Sequence, residues 1–384
     1  MITIQYVFLH IILLIITYVY GRKLSVSKSD KKYWSIAYIP ILAFTIEEGF
    51  RWGREIDWCA YYYIYQDMIK GVESNHEPFF RFLWGIFANC EMPYFCVIAF
   101  CSFLLIYSLY FLFRPHNKYA YILFPLLILW IAPKATNLIR WYMALSFLLI
   151  GFRHLLDKKN FKVILFFSFA LFTHYGSALL IITFILVYRL KKTICKPYVA
   201  IIGSLILILF FSSAFMAQFV PFVEYLSFID RFATYASNAE DWLTGAGQNS
   251  LVDKKSPIVY ILTSIPFYLY LIDGKKNNLK LEDLIFYNLS IIGLLLRSIS
   301  SGLELLDRYA VSFDPFLVFM AASAISNLRK SPQTISKKIK YSIIYCSILI
   351  QIYRFCAPLN KNEFMHYIWN KQIVPERIFQ KYQD

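Results

Sequence analysis

Residues 51–77 hold an unusual density of arginines, carboxylates and aromatic rings. The side chains of interest are Arg51, Arg54, Asp57, Tyr61 and Glu77. Arginine binds phosphate through paired donors, a carboxylate accepts a proton from a hydroxyl group, and an aromatic face packs against a sugar ring. The combination is that expected of a site for a glycan phosphate. An ordinary loop at a membrane surface, with interfacial aromatic residues and solvated charges, would contain the same residue types.

Three positions outside this loop could serve the same chemistry. Arg140 opens the apolar run 141–152, which would put its guanidinium beside the positive end of a helix and attract a diphosphate. The alternative is an arginine that snorkels to the lipid headgroups. Arg308 and Tyr309 precede another apolar run, and Asp307 could simply neutralise Arg308.

His174 is the most informative single position. It lies in the middle of the apolar segment 161–188, where an imidazole is costly unless it has a partner. It could donate a hydrogen bond to a phosphate or sugar oxygen. It could equally cap a turn or bond a neighbouring helix. We predict catalytic roles for Asp57 and His174, and substrate binding by Arg51, Arg54, Tyr61, Glu77, Arg140, Arg308 and Tyr309.

The elements that carry these residues are predicted to be membrane helices. The 384 residues are 59% hydrophobic and only 16% charged, whereas a soluble domain has about 25% charged residues. Several uncharged stretches reach the length of about 20 residues that crosses a bilayer. We therefore predict an all-α polytopic membrane protein with about ten spans. The candidates are 2–20, 33–46, 93–113, 119–132, 138–153, 197–219, 256–273, 282–301, 308–327 and 341–356.

The net charge of +15 follows the positive-inside rule and does not indicate nucleic acid. One group of connections holds 23 Lys and Arg residues against two Asp residues. These predicted cytoplasmic connections are 21–32, 114–118, 153–162, 189–196, 274–280 and 328–340. The acidic loops 47–92 and 220–255 are then outside, together with the N-terminus. We predict one membrane domain, 1–384.

The segment 161–188 does not fit simple alternation, because cytoplasmic-type sequence flanks it on both sides. A turn at 172–176 would give two arms of about 20 Å each at about 1.5 Å per residue. We favour this re-entrant helical hairpin over one long tilted helix. Polar backbone at its turn requires a protein or water-lined cavity, so His174 would mark that cavity.

The order of these motifs resembles the EpsG-like branch of Wzy-type polysaccharide polymerases. The motifs are Arg51-x-x-Arg54-x-x-Asp57-x-x-x-Tyr61, Glu77-Pro78, Arg140 with Ala144, Phe172-Thr-His174-Tyr-Gly-Ser-Ala178 and Asp307-Arg308-Tyr309. They extend over roughly residues 35–325. Trp52 departs from the family, which more often has a smaller residue or Tyr ahead of a Gly-x-Asp, and the insertion before Asp57 affects that alignment.

The resemblance implies a C-type-like glycosyltransferase that joins undecaprenyl-diphosphate-linked repeat units on the extracytoplasmic face of a bacterial cytoplasmic membrane. Asp57 would then be the general base, with Glu77 as the second candidate. No Asp-x-Asp metal signature occurs in the outer loops, so we expect neither metal nor cofactor, with arginines stabilising the leaving diphosphate. Expected partners are the lipid-linked oligosaccharide, membrane lipids and a chain-length regulator protein.

Two other functional classes, and one closely related reaction, remain open at this level. A flippase for lipid-linked oligosaccharides would share the hydrophobicity and the basic cavity, but it should have charges within several spans and repeated halves. A membrane O-acyltransferase would use a histidine base. Ligation of finished polymer to a lipid-linked acceptor is chemically close to polymerisation and uses the same residue types.

Overall fold

A computed structural model describes residues 2–54, 56–211, 215, 217–225, 257–274, 280–300, 304–329, 335–356 and 366–370. Sixteen α-helices and one pair of two-residue strands occur in this described part. The predicted all-α class is therefore confirmed. The chain divides into two compact units, Met1–Leu186 with Ile348–Asp384, and Val187–Ser347.

The first unit contains the helices that carry most of the predicted site. Its elements are α1 (Ile2–Ser25), α2 (Asp30–Gly49), β1 (Arg51–Trp52), α3 (Ile56–Ile69), α4 (Pro78–Asn89), α5 (Tyr94–Leu112), a 3-10 helix (Arg114–Tyr119), α6 (Ala120–Ala135), α7 (Ile139–Leu156), α8 (Asn160–Thr173), most of α9 (Ser177–Arg189), β2 (His366–Tyr367) and a 3-10 helix (Ile368–Asn370).

The second unit is also helical. Its elements are α10 (Pro197–Phe210), a 3-10 helix (Ala217–Phe219), α11 (Val220–Tyr225), α12 (Pro257–Gly274), α13 (Leu281–Ile299), α14 (Glu304–Val311), α15 (Asp314–Arg329) and the first part of α16 (Ile335–Cys356). Helix α13 packs against α10, α14 and α15, and α12 packs against α15.

Helix α7 is the centre of the first unit. Every residue from Trp141 to His154 is buried, which is the pattern of a helix that is enclosed on all sides. It packs against α5 and α8. Because α7 begins one residue before Arg140, the central helix carries this guanidinium at its N-terminal end.

The segment 161–188 consists of two helices, α8 and α9, separated by His174–Gly176. Contacts with α7 give their directions: Phe166 meets His154, His174 meets Trp141, and Phe184 meets Phe152, all with ring centroids within 6 Å. Helix α8 therefore runs antiparallel to α7, and α9 turns back along it. That this hairpin enters and leaves the bilayer on one side stays a prediction.

Helices α3 and α4 occupy the predicted outer loop 47–92 and form an aromatic layer. Trp58, Tyr61 and Tyr65 make one buried stripe on α3, at the spacing of a single helical face. Pro78 at the first position of α4 suits a helix start, since its missing N–H would have no partner there. Tyr61 lies 5.4 Å from Trp84 of α4 between ring centroids, so the loop is packed rather than extended.

Within the described residues, four segments are long and apolar enough to cross a membrane by length and composition. They are Ile4–Ser25, Tyr94–Leu112, Arg114–Ala135 and Ile139–Leu156. The same part of the chain holds three shorter apolar helices: Asn160–Thr173, Ser177–Arg189 and Pro197–Phe210. The membrane class is supported, and the count of about ten spans stays a prediction.

Two predicted spans differ from the helices observed. The span 308–327 is divided, because α14 ends at Val311 and α15 begins at Asp314. The residue before a proline is disfavoured in helical conformation, and Pro315 follows Asp314. Helix α10 ends at Phe210, short of the predicted end of span 197–219. The loop predicted over 220–255 lies outside the described residues beyond Tyr225.

Candidate active site

An ion pair between Glu77 and Arg140 joins two of the predicted residues. Arg140 Nη1 lies 2.7 Å from Glu77 Oε2, and the two side chains are 22% and 11% exposed. Glu77 immediately precedes α4, and Arg140 lies in the first turn of α7. Arg140 Nε is buried and has no hydrogen-bond partner in the described part of the chain. The guanidinium therefore keeps donor capacity beyond the ion pair.

The turn between α8 and α9 reaches the same place. The backbone N–H of Tyr175 donates to Glu77 Oε1 at 3.3 Å, so each oxygen of this carboxylate accepts from a different element. The His174 ring packs edge-on to Trp141 at 4.9 Å, and its Nδ1 accepts from the Gly176 N–H at 3.0 Å. His174 is thus next to the residue that follows Arg140.

Gly176 makes this approach sterically feasible. A Cβ there would lie 2.9 Å from Trp141 Cζ3 and 3.0 Å from His174 Cε1, closer than side-chain carbons normally pack. The turn can therefore sit against the start of α7 only because residue 176 has no side chain. The predicted interruption at 172–176 matters for the site as well as for the topology.

The backbone of Asp57 is held by Asn137, which precedes the start of α7. The backbone N–H of Asp57 donates to Asn137 Oδ1 at 3.2 Å. The first N–H groups of a helix have no partner within it, so Asn137 caps α3 from the connection between α6 and α7. Asn137 is three residues before Arg140, and the contact brings the start of α3 to the start of α7.

Tyr61 and His76 form the aromatic side of this region. Tyr61 is nearly buried and packs against the rings of Phe80 and His76 at 5.7 and 5.9 Å. Burial, together with the positive charge of Arg140, lowers the pKa of His76 below its usual value. His76 is therefore neutral at pH 7 and adds no positive charge beside Glu77.

Arg51 and Arg54 are in a different environment from that expected of solvent-facing substrate ligands. With Glu47 and Glu48 they form a buried group, which we name the four-charge cluster, and each member is at most 7% exposed. Arg51 Nη1 lies 3.1 Å from Glu48 Oε2, and Arg54 Nη1 lies 3.5 Å from the same oxygen. Their role in binding substrate stays a prediction, and each forms an ion pair within the cluster.

Two acids of the four-charge cluster, together with His10, form the described group that most resembles a metal site. One ligand atom from each of His10, Glu47 and Glu48 lies within 4.8 Å of the others. However, Arg51 and Arg54 already contact these carboxylates. Two guanidinium charges balance two carboxylates, so the excess negative charge that favours a divalent cation is missing.

Arg308 and Tyr309 belong to the second unit and lie in α14. Both are half-buried. The Arg308 carbonyl accepts from Ser312 Oγ at 3.1 Å. Within the described ranges no ion pair joins Arg308 to Asp307, so the neutralisation considered from the sequence is not seen there. Their substrate-binding role stays a prediction.

Three contributors to the site were not identified from the sequence. Asn137 had a weak signal, a polar residue just ahead of Arg140, and His76 lay directly before Glu77. The Tyr175 N–H had none, because a backbone donor is independent of residue type. The structure thus brings together Asp57, Tyr61, Glu77, Arg140 and His174 in the first unit.

Arg140, Glu77 and the neutral His76 thus lie near the start of α7, and Asp57 lies at the start of α3. This arrangement is compatible with transfer of a glycan from a phosphate. The chain belongs to the EpsG family, a family of Wzy-like polysaccharide polymerases, whose model matches residues 32–369. The resemblance of the sequence motifs to that family is therefore confirmed. Comparison with curated proteins found no match, and comparison with solved structures found none either.

We expect Asn137→Ala to lower turnover about tenfold through misplacement of Asp57, with a loss of about 1 kcal/mol of stability from the missing cap. Asn117→Ala is the matched control. Asn117 precedes α6, whereas Asn137 follows it. The Asn117 amide donates to Leu24 O and Ser27 O, so its loss should reduce stability but not turnover per folded molecule. Equal turnover in both variants would argue against a positioning role for Asn137.

Proposed function

We propose that the chain joins undecaprenyl-diphosphate-linked oligosaccharide repeat units by glycosyl transfer on the extracytoplasmic face of a bacterial cytoplasmic membrane. Membership of the EpsG family supports polymerisation in general. The acidic character of residues 47–78 supports the outer face, because cytoplasmic connections are enriched in Lys and Arg. A chain-length regulator protein is a further proposed partner.

The observation that carries the proposal is the arrangement of donors at the start of α7. Arg140 contributes one nitrogen to Glu77 and retains a buried Nε without a partner among the described residues. Leu138, the N-cap residue, supplies no side-chain hydrogen bond to the helix. A guanidinium beside the positive end of a helix that no side chain caps is a favourable position for a diphosphate.

The reaction requires a base and a cation close to one sugar. An acceptor hydroxyl loses its proton to a carboxylate as its oxygen attacks the anomeric carbon of the second unit. The bond between this carbon and the diphosphate oxygen breaks, and the electron pair leaves on the diphosphate. We assign the stabilisation of this developing negative charge to Arg140.

Asp57 is a better candidate for the base than Glu77. Both oxygens of Glu77 already accept a bond, one from Arg140 and one from the Tyr175 N–H. A substrate hydroxyl would have to share a Glu77 oxygen with one of these two donors. Asp57 is half-buried at the start of α3, its backbone N–H donates to Asn137 Oδ1, and it matches the loop position of the acid in the family motif. Glu77 is then a positioning group that orients Arg140.

The proposal is tested with purified protein in liposomes and a synthetic undecaprenyl-diphosphate oligosaccharide. We expect a ladder of longer glycans and release of one undecaprenyl diphosphate for each bond formed. The ladder should persist in EDTA, because arginine rather than a metal ion stabilises the leaving group. Glycans of unchanged length would refute the proposal. Transfer of the intact substrate across the bilayer without lengthening would favour a transporter.

A further inference from the structure

A short segment near the end of the chain, residues 366–370, contacts the four-charge cluster. We name it the C-terminal strap. The Tyr367 hydroxyl donates to Glu47 Oε1 at 2.6 Å, across 320 residues of sequence. Burial, followed by the negative charge of Glu47, raises the pKa of Tyr367 far above its usual range. The hydroxyl therefore stays protonated and remains a donor to the carboxylate.

The strap also encloses Arg54. The Arg54 Cζ atom lies 4.9 Å from the centre of the Tyr6 ring and 5.2 Å from that of Tyr367. A guanidinium is well suited to stacking against aromatic faces. Tyr6 and Tyr367 belong to one buried apolar group against which Phe50 packs. The strap thus supplies a hydrogen bond to Glu47 and an aromatic face to Arg54, both members of the four-charge cluster.

Backbone pairing fixes the strap in register. In the antiparallel pair β1–β2, Arg51 is opposite Tyr367 and Trp52 is opposite His366. The Ile368 N–H continues this pairing by donating to Phe50 O at 2.9 Å. Three consecutive residues, 50–52, are therefore aligned by the strap. A one-residue shift of the register would move Tyr367 away from Glu47.

The aligned segment leads directly to Asp57. Gly53 follows β1 with a φ of +61°, in the left-handed region that favours glycine, and the chain turns there before α3. Asp57 is the second residue of α3. Its backbone is anchored on the far side by Asn137. The start of α3 is therefore held between the strap and the connection that precedes α7.

Buried ion pairs seldom add stability when compared with apolar packing, because desolvation offsets their attraction. A cluster of four such charges is better explained by conformational specificity, because it permits only one arrangement of the segments that carry it. We propose that the C-terminal strap is a positioning element of the candidate active site, in which Tyr367 holds Glu47 and Arg54 and so orients the segment that leads into Asp57. This inference rests on the proposed function.

The test uses Tyr367→Phe in the full-length protein, because phenylalanine keeps the ring packing and removes only the hydroxyl. We expect kcat per folded molecule to fall by about 10-fold to 100-fold through misplacement of the base, with KM unchanged within about twofold. A merely structural role would lower the yield of folded protein and leave kcat per molecule intact. Tyr353→Phe, an exposed tyrosine on α16, is the matched control and should behave as wild type.

A second variant keeps the inference testable if Tyr367→Phe does not accumulate. Trp52→Cys with His366→Cys places two thiols at directly opposed positions of an antiparallel pair, close to the separation that a disulfide bridges. We expect the oxidised protein to form this bond and to retain the turnover of its reduced form. Loss of turnover on oxidation, or wild-type kcat in Tyr367→Phe, would overturn the inference. Absence of glycan lengthening by the wild-type protein would instead refute the proposed function.

Discussion

Arg140→Ala is expected to lower turnover by about 100-fold to 1,000-fold, the usual effect of removing one preorganised donor to a developing negative charge. Arg140 is the guanidinium at the start of the central helix α7, and its Nε lacks a partner among the described residues. Glycan lengthening per folded molecule is the measurement. Arg22→Ala, an exposed arginine at the end of α1, is the control and should retain wild-type turnover.

The double variant Arg140→Ala with Glu77→Gln separates two explanations of that loss. Removing Arg140 alone leaves the Glu77 carboxylate without its ion pair, and a partly buried charge without a partner can distort the turn at Tyr175. Glutamine removes this charge. If Arg140 only neutralises Glu77, the double variant should regain turnover. We expect it to stay as slow as Arg140→Ala, because the diphosphate has lost its donor.

Asp57→Asn is expected to lower kcat by about 100-fold to 10,000-fold, the range associated with loss of a general base. Asparagine has nearly the same shape and keeps the backbone N–H that donates to Asn137. Affinity for the lipid-linked donor, measured by direct binding, should remain unchanged. A large fall in kcat without a fall in affinity would indicate that the carboxylate acts in the chemical step.

Asp67→Asn provides the matched control, since Asp67 is exposed on the same helix, ten residues further along. It should have wild-type kcat. Near-normal turnover in Asp57→Asn would remove Asp57 as the base. The corresponding measurement on Glu77→Gln would then show whether Glu77 serves this role, despite the two bonds that its oxygens accept.

The helices and their interruptions were predictable from the sequence where they depend on neighbouring residues. The excess of apolar residues predicts helices in lipid, and the flanks of 161–188 together with its internal polar residues predict the break at His174–Gly176. Arg140 was expected at a helix start and lies in the first turn of α7. The division of span 308–327 was missed, although Asp314-Pro315 was a visible local signal.

The environments of the arginines were less predictable from the sequence than the helices. From the sequence, Arg51, Arg54 and Arg140 are equivalent cations near predicted outer helix ends. In the structure the first two are buried against Glu47 and Glu48, whereas the Arg140 side chain is partly exposed. The residue type determines the charge, but the packing of distant helices determines which ligands the charge can reach.

The sequence by itself determined the membrane class of this protein and the interruption of segment 161–188, because hydrophobic content and proline, glycine and charge signals act over a few neighbouring residues. Only the tertiary structure decided that Glu77 meets Arg140 across 63 residues, that the Tyr175 N–H meets Glu77 across 98, and that Tyr367 meets Glu47 across 320. Such contacts depend on how whole helices pack, and no local pattern specifies them.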